Sequence, residues 1–176
     1  SEIDEVVKEI EKILEDDKRR VDEAIEELEK LIREIREEVR RVIKESEDLN
    51  KEIRDRVRKN KEKREDLDRL VEEDRKKNRE ILETLKELIE RIRREIERLL
   101  RENEETLRDI ERKIREKMTD KDKAERLRRE LKKIMEDSRR LADEIKKRLD
   151  RLLEEVKEEI ERTKRETDRL LEEVRR

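Results

Sequence analysis

The sequence predicts an all-α fold, an up-down-up antiparallel bundle of three helices of about 56 residues each, with coiled-coil-like left-handed packing. Three observations carry that reading. Apolar residues recur at spacings of three and four along the whole chain, and their share, 29%, is close to the two positions in seven that a coiled-coil seam requires. Two interruptions, near residues 60 and 120, cut the chain into segments of nearly equal length. The alphabet itself is a helix-forming one: no Gly, Pro, Cys, His or aromatic residue occurs, and 64% of residues are Asp, Glu, Lys or Arg.

The first helix is expected to start at residue 1 or 2, where Ser1-Glu2-Ile3-Asp4 has the form of a capping box: a hydroxyl for an orphan amide, and an acid at the positive helix end. Its seam runs Ile3, Val7, Ile10, Leu14, Asp17, Val21, Ile25, Leu28, Ile32, Ile35, Val39, Val42, Ser46, Leu49, Ile53, Val57. Nine residues without an apolar side chain follow, Arg58 to Asp66, and Asn60 among them suits the left-handed conformation that ends a helix where Gly is not used. The first turn is therefore placed at 58–62, closing a helix over about 1–57.

The second helix, about 63–118, resumes the seam at Leu67 and Val71 and continues through Leu85, Ile92, Ile96, Leu99, Leu107, Ile110, Ile114 and Met118. Glu72 to Glu80 is also free of apolar residues, and a turn at Asn78 would compete with the one near 60, but it yields helices of very unequal length. Thr119 or Asp120 is expected to cap a third helix over about 121–176, with the seam Leu127, Leu131, Ile134, Leu141, Ile145, Leu149, Leu152, Val156, Ile160, Leu170 and Val174. The whole of 1–176 is read as one elongated domain. At about 1.5 Å per residue each helix would span on the order of 85 Å.

Small polar residues break the seam at a few positions, and the antiparallel geometry relates them to one another. With a turn centred near 60, position x of the first helix lies beside about 120 − x of the second; a turn near 119 or 120 sets the second helix against about 239 minus its own number in the third. Asp17 then falls level with Asn103, and Asn103 with Asp137 and Ser138. Ser46 falls level with Asp74, and with Asn78, Thr163 and Thr167 forms a second level. The expectation is two buried polar layers, each drawing on all three helices and each about a quarter of the length from an end. An unpaired buried amide or hydroxyl costs roughly 1–3 kcal/mol, so such layers exact stability from any register that leaves them facing Leu or Ile. The competing reading is that these residues mark wet gaps bridged by snorkelling Arg or Lys, or face solvent just off the seam.

The same composition removes most chemistry. Without His there is no zinc tetrad, no Glu-x-x-His di-iron pattern and no imidazole base. Without Cys there are no disulfides or thiol nucleophiles, and the redox compartment stays undetermined. A chain lacking Gly builds no known phosphate-cradling loop, and no oxyanion hole is evident. No catalytic residue, cofactor or metal site is expected, and the chain is read as no enzyme. The 55 basic and 58 acidic residues are interleaved to a net charge of −3, which offers no field of one sign to nucleic acid or membrane lipid. No apolar run exceeds two residues, so neither a transmembrane helix nor a signal peptide is expected. Residues 1–58 carry a net −6, and 59–118 and 119–176 carry +1 and +2, a mild bias toward pairing within the set.

In alphabet, unbroken heptad rhythm, equal helices and polar levels in register, the whole chain resembles parametrically designed helical bundles and coiled coils, a design class and not one protein. Designs of that class commonly close their helices with Gly-containing loops; here both turns lack Gly. The resemblance implies a structural scaffold built around long-helix packing and buried polar networks, needing no partner and monomeric. The alternative is a self-assembling or partner-binding module, in which the doublets Val6-Val7, Ile13-Leu14, Val42-Ile43, Leu99-Leu100 and Leu152-Leu153 leave apolar surface to share.

Overall fold

With no Gly or Pro to interrupt it and an apolar stripe at helical spacing throughout, the chain forms three long α-helices. The computed structural model describes residues 2–59 and 64–175, and the side chains of 4–59 and 65–173. α1 spans Glu2–Lys59 (58 residues), α2 Arg64–Lys117 (54 residues) and α3 Lys121–Arg175 (55 residues). Basic residues Arg56, Arg58 and Lys59 close α1, and Glu65 and Asp66 open α2, each sign suited to its end of the helix dipole. The capping serine, Ser1, and Asn60 lie outside the described residues, as does most of the expected first turn.

The second turn shows its chemistry. Asp120 caps α3: its Oδ1 accepts from the amides of Asp122 at 3.1 Å and Lys123 at 3.3 Å, while its carbonyl accepts the first helical bond from Ala124 at 3.0 Å. Of the two expected caps, Thr119 and Asp120, it is the aspartate that takes the orphan amides.

By packing, the chain divides into two units, and all three helices pass through each. One comprises Ser1–Leu31 and Arg91–Lys147, the other Ile32–Glu90 and Arg148–Arg176. Each is a three-helix bundle with α2 antiparallel to α1 and α3. In the first unit Ile10 and Leu14 of α1, Leu107, Ile110 and Ile114 of α2, and Ala124, Leu127 and Leu131 of α3 form one buried cluster. Ion pairs along its flanks fix the same orientation: Lys123 with Asp4 at 3.0 Å between α3 and α1, and Arg128 with Glu111 at 3.1 Å between α3 and α2. Exposed pairs of this kind contribute about 0–1 kcal/mol each, so they guide alignment more than they stabilise it.

The second unit has Ile53 of α1 against Leu67 and Val71 of α2, with Leu49, Val57, Leu70 and Leu171 packed around them. Here Arg75 of α2 reaches Asp168 of α3 at 2.5 Å. The doublets named above are all covered or half-covered: none of their ten residues is exposed, and Leu31, 45% exposed, is the exposed large apolar residue among those described.

Candidate functional site

The features of chemical interest are the polar side chains inside the two bundles. A helical residue that interrupts an apolar stripe points where its neighbours point, so a seam position filled by Asp, Asn, Ser or Thr is carried into the interior by the burial of the Leu and Ile around it. Asp17, Asn103 and Ser138 are 2%, 6% and 7% exposed, and Ser46, Asp74, Asn78, Thr163 and Thr167 are buried likewise. Asp137 is the exception. It stands half-exposed and pairs with Arg140 at 3.2 Å, outside the layer in which it was expected. The seam allows a step of three or four after Ile134, and Ser138, at the step of four, takes the inward position; Asp137, a rotation of about 100° away, is left on the flank.

In the first unit Asp17 of α1, Asn103 of α2 and Ser138 of α3 meet. With its Nδ2 toward α1, Asn103 donates to Asp17 Oδ2 at 2.5 Å and Oδ1 at 2.9 Å, and its Oδ1 accepts from Ser138 Oγ at 3.2 Å. Ser138 Oγ is also 2.8 Å from the Ile134 carbonyl, and its single hydrogen serves one acceptor at a time. Burial pushes the Asp17 carboxyl above its ordinary value of 3.8, and Arg20, 3.4 Å away, draws it partly back.

In the second unit Ser46 Oγ of α1 donates to Asp74 Oδ1 of α2 at 2.7 Å. Asp74 is also pushed upward by burial, offset first by the Ser46 hydrogen bond and then by Lys77 and Arg75. Asn50, 3% exposed and not among the expected layer residues, joins the cluster: its Nδ2 donates to the Ser46 carbonyl at 3.0 Å, and its Oδ1 lies against the Thr167 hydroxyl of α3. Thr167 Oγ1 is also 3.0 Å from the Thr163 carbonyl, and its single hydrogen serves one acceptor at a time. Thr163 Oγ1 donates back to the Glu159 carbonyl at 2.9 Å. Asn78 and Thr163 border, with Ser46, a cavity of about 10 Å³, near the volume of one water-sized sphere. A signal for Asn50 was present in the sequence: it follows Ser46 by four, the spacing that also separates Thr163 from Thr167.

Beside the first cluster lies a cavity of about 130 Å³. Its walls are mostly apolar, from Val21, Leu28, Ile96, Leu99 and Ile145, and Asp17, Asn103 and Ser138 stand at its polar end. Among the described residues no group of three or more metal-ligating side chains gathers, and no helix is long and apolar enough to cross a membrane.

Neither a protein-family model nor a curated protein matches the chain. Among solved structures it is similar to one described as a computationally designed three helix bundle, at a TM-score of 0.42 and 16% identity, over 98% of this chain and 88% of that one.

Proposed function

We propose that this chain is a designed structural scaffold without a catalytic role, one domain in which three long helices are held in a single register by buried polar clusters. The observation that supports it best is the contribution of all three helices to each cluster: Asp17, Asn103 and Ser138 in one unit, and Ser46 or Asn50, Asp74 and Thr167 in the other. A helix displaced by a heptad would set these groups against Leu and Ile with their hydrogen bonds unmade, a penalty of about 1–3 kcal/mol for each group. The composition agrees with a chosen alphabet, since ordinary domains carry about 25% charged residues and several per cent each of Gly and Pro.

The scaffold acts as a monomer. The apolar doublets that would supply a self-association surface are buried or half-buried within the bundle, and an isolated Leu31 is no patch. Sedimentation equilibrium over a wide concentration range is expected to return the 22.0 kDa mass of one chain. A dimer or trimer mass would replace this reading with that of an assembly module.

A further inference from the structure

Three alanines occur in the chain, Ala24, Ala124 and Ala142, and two of them line the 130 Å³ cavity. Ala24 of α1 and Ala142 of α3 line it from two helices, beside the seam residues Val21, Ile25 and Ile145. Side chains this small leave room that larger ones would fill, in an interior that otherwise packs to the density of organic crystals. It is half-open to solvent, and in volume it approaches the enclosed apolar cavity of about 150 Å³ that holds benzene.

Its polar end is unlike an ordinary core gap. Asp17, 2% exposed, brings a carboxylate with about four acceptor positions. Asn103 occupies part of that capacity, and Arg20, whose side chain is 64% exposed, reaches the carboxylate from its solvent side at 3.4 Å. Of the charged residues bordering the space, Glu102 is exposed and paired with Arg98 at 2.8 Å, so Asp17 is the carboxylate buried at it. An apolar body joined to a hydrogen-bond-donating cation matches both parts of such a cavity.

We propose that this cavity is a binding site for small primary ammonium compounds bearing an apolar body of about benzene size. The ammonium group sits against Asp17, and the apolar body lies between Ala24 and Ala142.

Benzylamine is the probe, with toluene as the isostere lacking the cation and methylammonium as the cation lacking the body. At neutral pH benzylamine is expected to bind saturably and to shift the methyl NMR signals of Ala24 and Ala142, whereas methylammonium leaves them in place. Asp17→Asn is expected to weaken benzylamine by at least about tenfold, the ratio equivalent to 1.4 kcal/mol, and Ala142→Leu to abolish binding by filling the space. Should either variant fail to fold, the wild-type shifts with the three probes decide. Toluene binding as well as benzylamine, equal shifts with methylammonium, or no saturable shift would each overturn the proposal, as would undiminished binding to a folded Ala142→Leu.

Discussion

The Ser46 hydroxyl of α1 donates to the Asp74 carboxylate of α2 across 2.7 Å, with both residues buried, so one side chain supplies the contact that chiefly offsets the cost of desolvating the other. Ser46→Ala removes that donor and leaves the carboxylate in place. A loss of about 1–3 kcal/mol is expected at neutral pH. It should shrink in acid, where Asp74 is protonated and has less need of a donor. Denaturant unfolding of the variant and the parent at both pH values checks this.

Asn103 lies between two partners, so its replacement has a larger reach than its own bonds. Asn103→Leu leaves Asp17 buried without its amide donor, and a loss of about 1–3 kcal/mol is expected. Replacing Asp17 and Ser138 by apolar residues as well is expected to recover the loss or exceed it, because removing a buried polar set whole can be neutral or stabilising. A double-mutant cycle followed by denaturation measures the coupling. Simple additivity would show that these residues do not act as a set.

Asp17 and Asp74 give stability an unusual slope with pH. Both folded-state carboxyls are raised above the ordinary 3.8, so between that value and the raised one the folded protein holds more protons than the unfolded chain. Their contribution is fully present below the ordinary value and is lost as pH rises through the folded one, the reverse of a salt-bridged carboxylate. Asp17→Asn and Asp74→Asn are expected to flatten this part of the profile. Urea midpoints collected from acid to neutral pH test it, and an unchanged slope in both variants would count against the assignment.

Neighbouring positions on α3 should behave differently. Asp137→Ala is expected to change stability by no more than about 0.5 kcal/mol, since its partner Arg140 is exposed. Asp120→Ala, by contrast, frees two capped amides at the start of α3 and should cost about 1 kcal/mol. Thermal unfolding of the two variants separates them.

The helices and their register were legible in the sequence because both depend on spacing alone. Asp17 with Asn103, and Ser46 with Asp74, each pair numbers that sum to 120, the relation a turn centred at 60 imposes. What spacing could not decide is which of two adjacent residues points inward. The step from Ile134 admits either Asp137 or Ser138, and the step from Ser46 admits Leu49 and Asn50 together. In both cases the residue four positions on is the buried one, and a side chain joins that pair to the preceding turn: Ser138 to the Ile134 carbonyl, Asn50 to the Ser46 carbonyl. The cavity was harder to see, because Ala24 and Ala142, which line it, stand beside the seam and not in it.

The first cluster has a direction. Donation runs from the Ser138 hydroxyl of α3 to the Asn103 amide oxygen of α2, and from the Asn103 amide nitrogen to the Asp17 carboxylate of α1. The one buried charge of the set thus orients the amide of the second helix and the hydroxyl of the third, so the three helices are not interchangeable at this level.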